Sequence, residues 1–137
     1  MSRQSVILVI DDDPTFLQVA KVALEQHGYC VETARDSEEG LLKMQGQQPN
    51  LVILDVMMNW VLEGVSLSHQ MMDRSELSRI PIIMCTSIRR SEYKGYFPQD
   101  EYLHIDQWLD KPCPPDRLVA EVQAILARHE RYAQDNV

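Results

Sequence analysis

Leu51-Val52-Ile53-Leu54-Asp55 sets four apolar residues in a row, β-branched at the centre, directly before a lone carboxylate. Such a run is a strand buried on both faces, the mark of a parallel sheet covered by helices. A carboxylate ends it only where the chain leaves the core, so Asp55 is expected at the strand's carboxyl end. Open α/β sheets place their ligand crevice at that edge. Other runs stop in the same way. Val6-Ile7-Leu8-Val9-Ile10 stops at Asp11-Asp12-Asp13, and Ile80-Pro81-Ile82-Ile83-Met84-Cys85 stops at Thr86-Ser87. A last strand over 107–110 gives way to Lys111-Pro112. Carboxylates, a hydroxyl and an ammonium therefore gather at one edge of one sheet.

Helix signals fill the intervals. Asp13-Pro14 reads as an N-cap followed by proline at the first helical position. The helix is predicted over 14–27, with Leu17, Ala20 and Leu24 on one face and Gly28 as its stop. A second strand over 29–34 leads to Asp36-Ser37-Glu38-Glu39, a capping-box-like start for a helix through Met44 that ends near Gly46. Pro49-Asn50 turns the chain into the central strand. An irregular apolar loop over 56–62 precedes a helix opened by Glu63-Gly64 and containing Leu67, Met71 and Met72. From Ser87 to Asp106, Gly95, Pro98, Tyr93, Tyr96, Phe97 and Tyr102 break the periodicity. That stretch is expected to be an irregular loop with at most a short helix over 89–94. The last helix carries Leu118, Val122, Ile125 and Leu126 at helical spacing, and its polar tail over 131–137 is expected to fray.

Strand and helix alternate five times, which means a parallel sheet with helices on both faces. Right-handed crossovers favour the flavodoxin-like, doubly wound strand order 2-1-3-4-5. The switch point then falls between the strands that end at Asp11-Asp12 and at Asp55. At 137 residues the chain suits a single domain, 1–137, with its core over 5–130. A net charge of −8 argues against a nucleic-acid face or an anionic membrane surface. Cys30, Cys85 and Cys113 lack metal-type spacing; Cys30 and Cys85 sit in apolar runs, so reduced thiols are expected. With no run approaching 18 apolar residues, the expectation is a cytoplasmic protein that does not insert in membranes.

Three carboxylates within a few ångströms repel, so either their pKa values rise or a cation binds. Hard oxygen ligands with open positions suit Mg²⁺, which keeps waters and accepts phosphate oxygens. A lysine and a threonine on the far side can hold the remaining oxygens of a phosphoryl group. Phosphoryl transfer needs mainly positioning and charge neutralisation, and this set supplies both. Asp55, on the most buried strand, is the candidate nucleophile, forming an aspartyl phosphate.

Over nearly its whole length the chain resembles the response-regulator receiver domain of bacterial two-component systems, in the manner of chemotaxis regulators. The marks are Val9-Ile10-Asp11-Asp12, Leu54-Asp55, Thr86-Ser87, and Trp108 three residues before Lys111-Pro112. The resemblance implies Asp55 as phosphoacceptor and Asp11, Asp12, Asp55 and the Met57 carbonyl as the Mg²⁺ site. It implies Thr86 and Lys111 as phosphoryl-binding residues, with Thr86 and Trp108 as a switch pair. Trp108 is equally readable as plain core packing. The implied partners are a sensor histidine kinase or a histidine phosphotransfer protein upstream, and an output protein or domain downstream. Such a receiver is no turnover enzyme; it catalyses only its own phosphorylation and dephosphorylation. Met57 and Ile88 cannot hydrogen-bond an attacking water, which implies a long-lived phosphoryl state.

Two departures and two rival readings belong beside this. After the phosphoacceptor the family usually has Met-Pro and then an acidic-Gly pair; here Met58-Asn59-Trp60 precedes Glu63-Gly64, with one residue extra. The interval from Thr86 to Lys111 is also a few residues longer than usual, through the aromatic loop. One rival is a haloacid-dehalogenase-type phosphatase with Asp11 as nucleophile and Asp13 as general acid. It leaves Asp55 unexplained and lacks a further acidic pair after the lysine. The other is a receiver-like module that binds partners without phosphorylation, against which the complete acid, threonine and lysine set argues.

Overall fold

A computed structural model describes residues 4–59, 63–87 and 105–135, the side chains of 131–135 excepted. β3 (Leu51–Leu54) is buried at every position and lies at the middle of the sheet, as its unbroken apolar run requires. β1 (Val6–Ile10) and β2 (Cys30–Ala34) lie on one side of it, and β4 (Ile82–Thr86) and β5 (Gln107–Asp110) on the other. The order is β2-β1-β3-β4-β5, every pair parallel. The doubly wound, flavodoxin-like prediction therefore holds.

Alternation along the strands divides the core into two layers. Ile7, Val9, Ile53, Ile83 and Leu109 face α1 (Pro14–Glu25) and α4 (Pro115–Asp135), which contribute Leu17, Leu24, Leu118 and Val122. Leu8, Ile10, Val52, Leu54 and Met84 face α2 (Ser37–Gly46) and α3 (Glu63–Met72), which contribute Met44, Leu67 and Met71. Burying each such Leu, Ile or Met side chain is worth about 1.5–3 kcal/mol. The predicted spacing in α4 is observed at Leu118, Val122 and Ile125, all buried.

Several boundaries differ from expectation for local reasons. β4 begins at Ile82 rather than Ile80, because Pro81 has no N–H for the ladder and only its carbonyl takes part, accepting the Val52 N–H at 3.0 Å. α1 ends at Glu25; His27 and Gly28 bond back three residues to Leu24 and Glu25, and Gly28 turns the chain at φ +90°. Cys30 is exposed, since β2 is an edge strand and this residue faces outward, whereas Cys85 is buried. His69, read from the sequence as a surface residue, is half-buried. α4 has helical backbone to Asp135. The predicted irregular loop with its Tyr93-to-Tyr102 aromatics, Ile88 and Trp60 fall outside the described residues, apart from the loop's ends at Ser87 and at 105–106. Among the described residues no helix is long and apolar enough to cross a membrane.

Candidate functional site

The parallel ladders deliver the site residues to one edge. The Asp11 N–H donates to the Ala34 carbonyl at 3.0 Å and the Asp55 N–H to the Ile10 carbonyl at 3.2 Å, so both acids sit one step past their strands. The Lys111 N–H donates to the Thr86 carbonyl at 2.9 Å, which sets the ammonium's residue beside the end of β4. Asp11, Asp12 and Asp55 can each offer a carboxylate oxygen such that all lie within 4.8 Å of one another. Lys111 Nζ bridges two of them, 2.5 Å from Asp11 Oδ2 and 3.3 Å from Asp55 Oδ2.

Burial decides the electrostatics. Asp11 is 1% exposed and Asp55 6%, while Asp12 is open to solvent. Desolvation pushes Asp11 above the usual carboxylate range; hydrogen bonds from Lys111 and the Asp13 N–H offset only part of that. Burial also works to lower Lys111, but the hydrogen bond to Asp11 and the charges of Asp55 and Asp11 outweigh it and hold the ammonium firmly protonated. One lysine facing three acids leaves negative charge in excess. A hard divalent cation with its remaining positions open to water or phosphate fits this oxygen donor set.

The other predicted residues take distinct places. Thr86 is buried at the end of β4. Trp108 is half-buried on the sheet face of Met84, its register partner, and so on the same face as Thr86 two positions further on. The Met57 N–H donates to Asp55 Oδ1 at 3.3 Å while its side chain reaches solvent. Asp13 lies outside the acidic cluster. It caps α1, accepting the Thr15 N–H at 3.0 Å, so it is not placed as the general acid that the phosphatase reading needs. The Cys85 thiol, next to Thr86, is pushed up to about 12 by burial and is chemically quiet.

Two residues of the site escape a reading of the sequence. Phe16 lies under the lysine, with Lys111 Nζ 4.4 Å from its ring centroid, a cation–π contact. Its only trace in the sequence is an apolar residue on the first turn of a helix. Glu63, expected merely to open a helix, is buried and accepts backbone N–H groups from Ser37 and Asn59.

A doubly wound parallel sheet with an acidic cluster and a bridging lysine at its carboxyl edge defines a phosphoryl-receiver class of α/β domain. The model of the response regulator receiver domain matches residues 7–123, and the chain belongs to that family. It is 36% identical over 124 residues to the alkaline phosphatase synthesis transcriptional regulatory protein PhoP of Bacillus subtilis, covering 90% of this chain and 49% of that protein. The chain thus spans about half the length of the curated relatives it matches. Among solved structures, a CheY-like receiver domain protein from Methanospirillum hungatei is similar with TM-score 0.78 at 26% identity, over 95% of this chain and 99% of the other. The chemotaxis response regulator CheY4 of Vibrio cholerae also gives TM-score 0.78, at 29% identity, over 90% and 99%.

Proposed function

We propose that the chain, as a single receiver unit, accepts one phosphoryl group on Asp55 from a phosphohistidine of a sensor kinase or phosphotransfer protein. The observation that carries this is the cluster of Asp11, Asp12 and Asp55 within 4.8 Å, bridged by Lys111. A carboxylate oxygen of Asp55 attacks phosphorus; the O–P bond forms as the P–N bond of the donor breaks, and the imidazole nitrogen keeps the electron pair. Mg²⁺ held by Asp11, Asp12, Asp55 and the Met57 carbonyl would neutralise charge on the transferring group. Lys111 supplies an N–H donor from the opposite side, and Thr86 a hydroxyl. Asp11 orients Lys111, while exposed Asp12 leaves the mouth of the site open to the donor.

Thr86 drawn towards a phosphoryl oxygen would free space on the sheet face it shares with Trp108. Rotation of the indole into that space then carries the signal to an output protein or domain. Relatives named as transcriptional regulators extend well beyond the region matched here, which supports an output that acts on transcription through a further domain or partner. A cytoplasmic setting fits partners of this kind. The exposed Met57 side chain offers no hydrogen bond to an attacking water, which supports a long-lived phosphoryl state.

The test is incubation with acetyl phosphate and Mg²⁺. Intact mass is expected to rise by one phosphoryl group in the wild type and not in Asp55→Asn. EDTA or Asp12→Ala is expected to suppress the rise. Equal modification of wild type and Asp55→Asn would refute the assignment.

A further inference from the structure

Glu63 is 2% exposed and both of its carboxylate oxygens are engaged. Oε1 accepts the Asn59 N–H at 3.0 Å, and Oε2 accepts the Ser37 N–H at 2.6 Å. Ser37 is the first residue of α2, and its N–H is one of those that no helical carbonyl can reach. The box expected at this helix start closes only on one side. Asp36 accepts the Glu39 N–H, while Glu39 pairs with Lys43, and the free N–H of Ser37, one step past the cap, goes to Glu63 from another helix. Asn59 lies four residues past Asp55. One carboxylate thus ties the start of α2 to the segment that leaves the proposed phosphoacceptor.

Gly64 grips the near end of the same segment. Its N–H donates to the Val56 carbonyl at 2.9 Å, and a Cβ in its place would run into the Asp55 carbonyl oxygen. The pair therefore holds residues 55–56 by close backbone approach and Asn59 by a carboxylate. Met57 lies between the two grips.

We infer that Glu63 is a positioning residue for the Mg²⁺ site, an inference that rests on the receiver reading above. It touches neither the metal nor the phosphoryl group. It fixes, through Asn59, the segment whose Met57 carbonyl would ligate the ion, and it uses the positive end of α2 as its footing. Groups that orient ligands without touching the metal commonly carry 10- to 100-fold in affinity, on the order of what direct support of one ligand would cost here. A merely structural Glu63 would stabilise the start of α2 and leave metal affinity alone.

Stability and affinity must therefore be read separately. Glu63→Gln keeps the shape but removes the charge and sets an NH₂ group against an N–H donor. In metal-free protein the amides of Asn59 and Ser37 are expected to exchange faster together. The Mg²⁺ dissociation constant, measured by calorimetry, is expected to rise about tenfold. Ser37→Pro is the second variant, for it deletes the α2 donor and leaves Glu63 and Asn59 in place. Proline is accepted at a first helical position, and Asp36 before it is already extended at φ −154°, ψ 173°. Its expected cost is about threefold in Mg²⁺ affinity, on the reasoning that one of two supports is lost. Leu24→Ala, in the opposite core layer, is expected to lower stability with affinity unchanged. Mg²⁺ affinity in Glu63→Gln and Ser37→Pro within about twofold of wild type would overturn the inference, as would an equal loss in Leu24→Ala. A wild type that binds no Mg²⁺ and takes no phosphoryl group would instead overturn the receiver reading, and this inference with it.

Discussion

Two segments leave the carboxyl edge of the sheet beside each other, and they are held in place by different physics. The turn after β1 is short and satisfies itself. Asp11 Oδ1 accepts the Asp13 N–H at 2.9 Å, Asp13 caps α1, and the Asp11 carboxylate reaches across to Lys111 while Asp12 faces solvent. The segment after β3 is longer and leans on the rest of the molecule. Gly64 packs against the Asp55 carbonyl, and Glu63 reaches Ser37, which is 26 positions away in the chain. The first is a local structure whose strain is electrostatic; the second is a non-local one whose precision is steric. Perturbing each should therefore give a different response to metal.

The sharpest break of that comparison is at Gly64. Gly64→Ala sets a methyl group against the backbone of Asp55 and Val56, which cannot swing aside. We expect a loss of about 3 kcal/mol or more in urea denaturation, not restored by Mg²⁺. Gly40→Ala is the matched control, because the atoms nearest its methyl group all belong to the Ile10 side chain rather than to backbone. That variant should lose about 1 kcal/mol at most, with the gain in helix propensity offsetting part of the contact.

Lys111→Met comes next. It leaves Asp11 and Asp55 buried without their shared cation, and the expected cost is about 2 kcal/mol in metal-free protein. This is below the range for a fully buried pair because the lysine side chain is 17% exposed. The sign of the metal response is the informative part. A divalent cation offsets the same two carboxylates, so saturating Mg²⁺ should recover most of the loss. Failure of Mg²⁺ to restore Lys111→Met, or its success with Gly64→Ala, would erase the distinction between the two segments. The smallest effect is expected from Asp13→Ala, about 1 kcal/mol for a lost helix cap with no change in phosphoryl uptake. A loss of uptake there would return Asp13 to the chemistry.

The same contrast explains what could be read from the sequence. Buried strands declare themselves as apolar runs, and a parallel sheet follows from their alternation with helices, so the order β2-β1-β3-β4-β5 and the gathering of Asp11, Asp12, Asp55, Thr86 and Lys111 were legible. The Asp13 and Asp36 caps were legible too, because capping is a matter of near neighbours. Glu63 was not. Its bond to Ser37 exists only after two helices pack on one face of the sheet, and nothing in the local pattern at Asp36 to Glu39 points to a carboxylate 26 positions away. Asn59, where the family usually has proline, carries an N–H that proline would lack, and its acceptor lies beyond the break in the local pattern. Phe16 under Lys111 likewise requires α1 and the turn after β5 to meet, which no periodicity reports. Exposure of Cys30 depends on β2 being an edge strand, a fact of topology rather than of composition.

The central claim is that Asp55, and not Asp11, takes the phosphoryl group, and chemical trapping tests it most directly. Borohydride reduces an aspartyl phosphate to homoserine and leaves free carboxylates unchanged, so the modified position can be located by peptide mass mapping. After acetyl phosphate and Mg²⁺, homoserine is expected at position 55 alone. Homoserine at position 11 would contradict it and point instead to phosphatase-type chemistry at the end of β1.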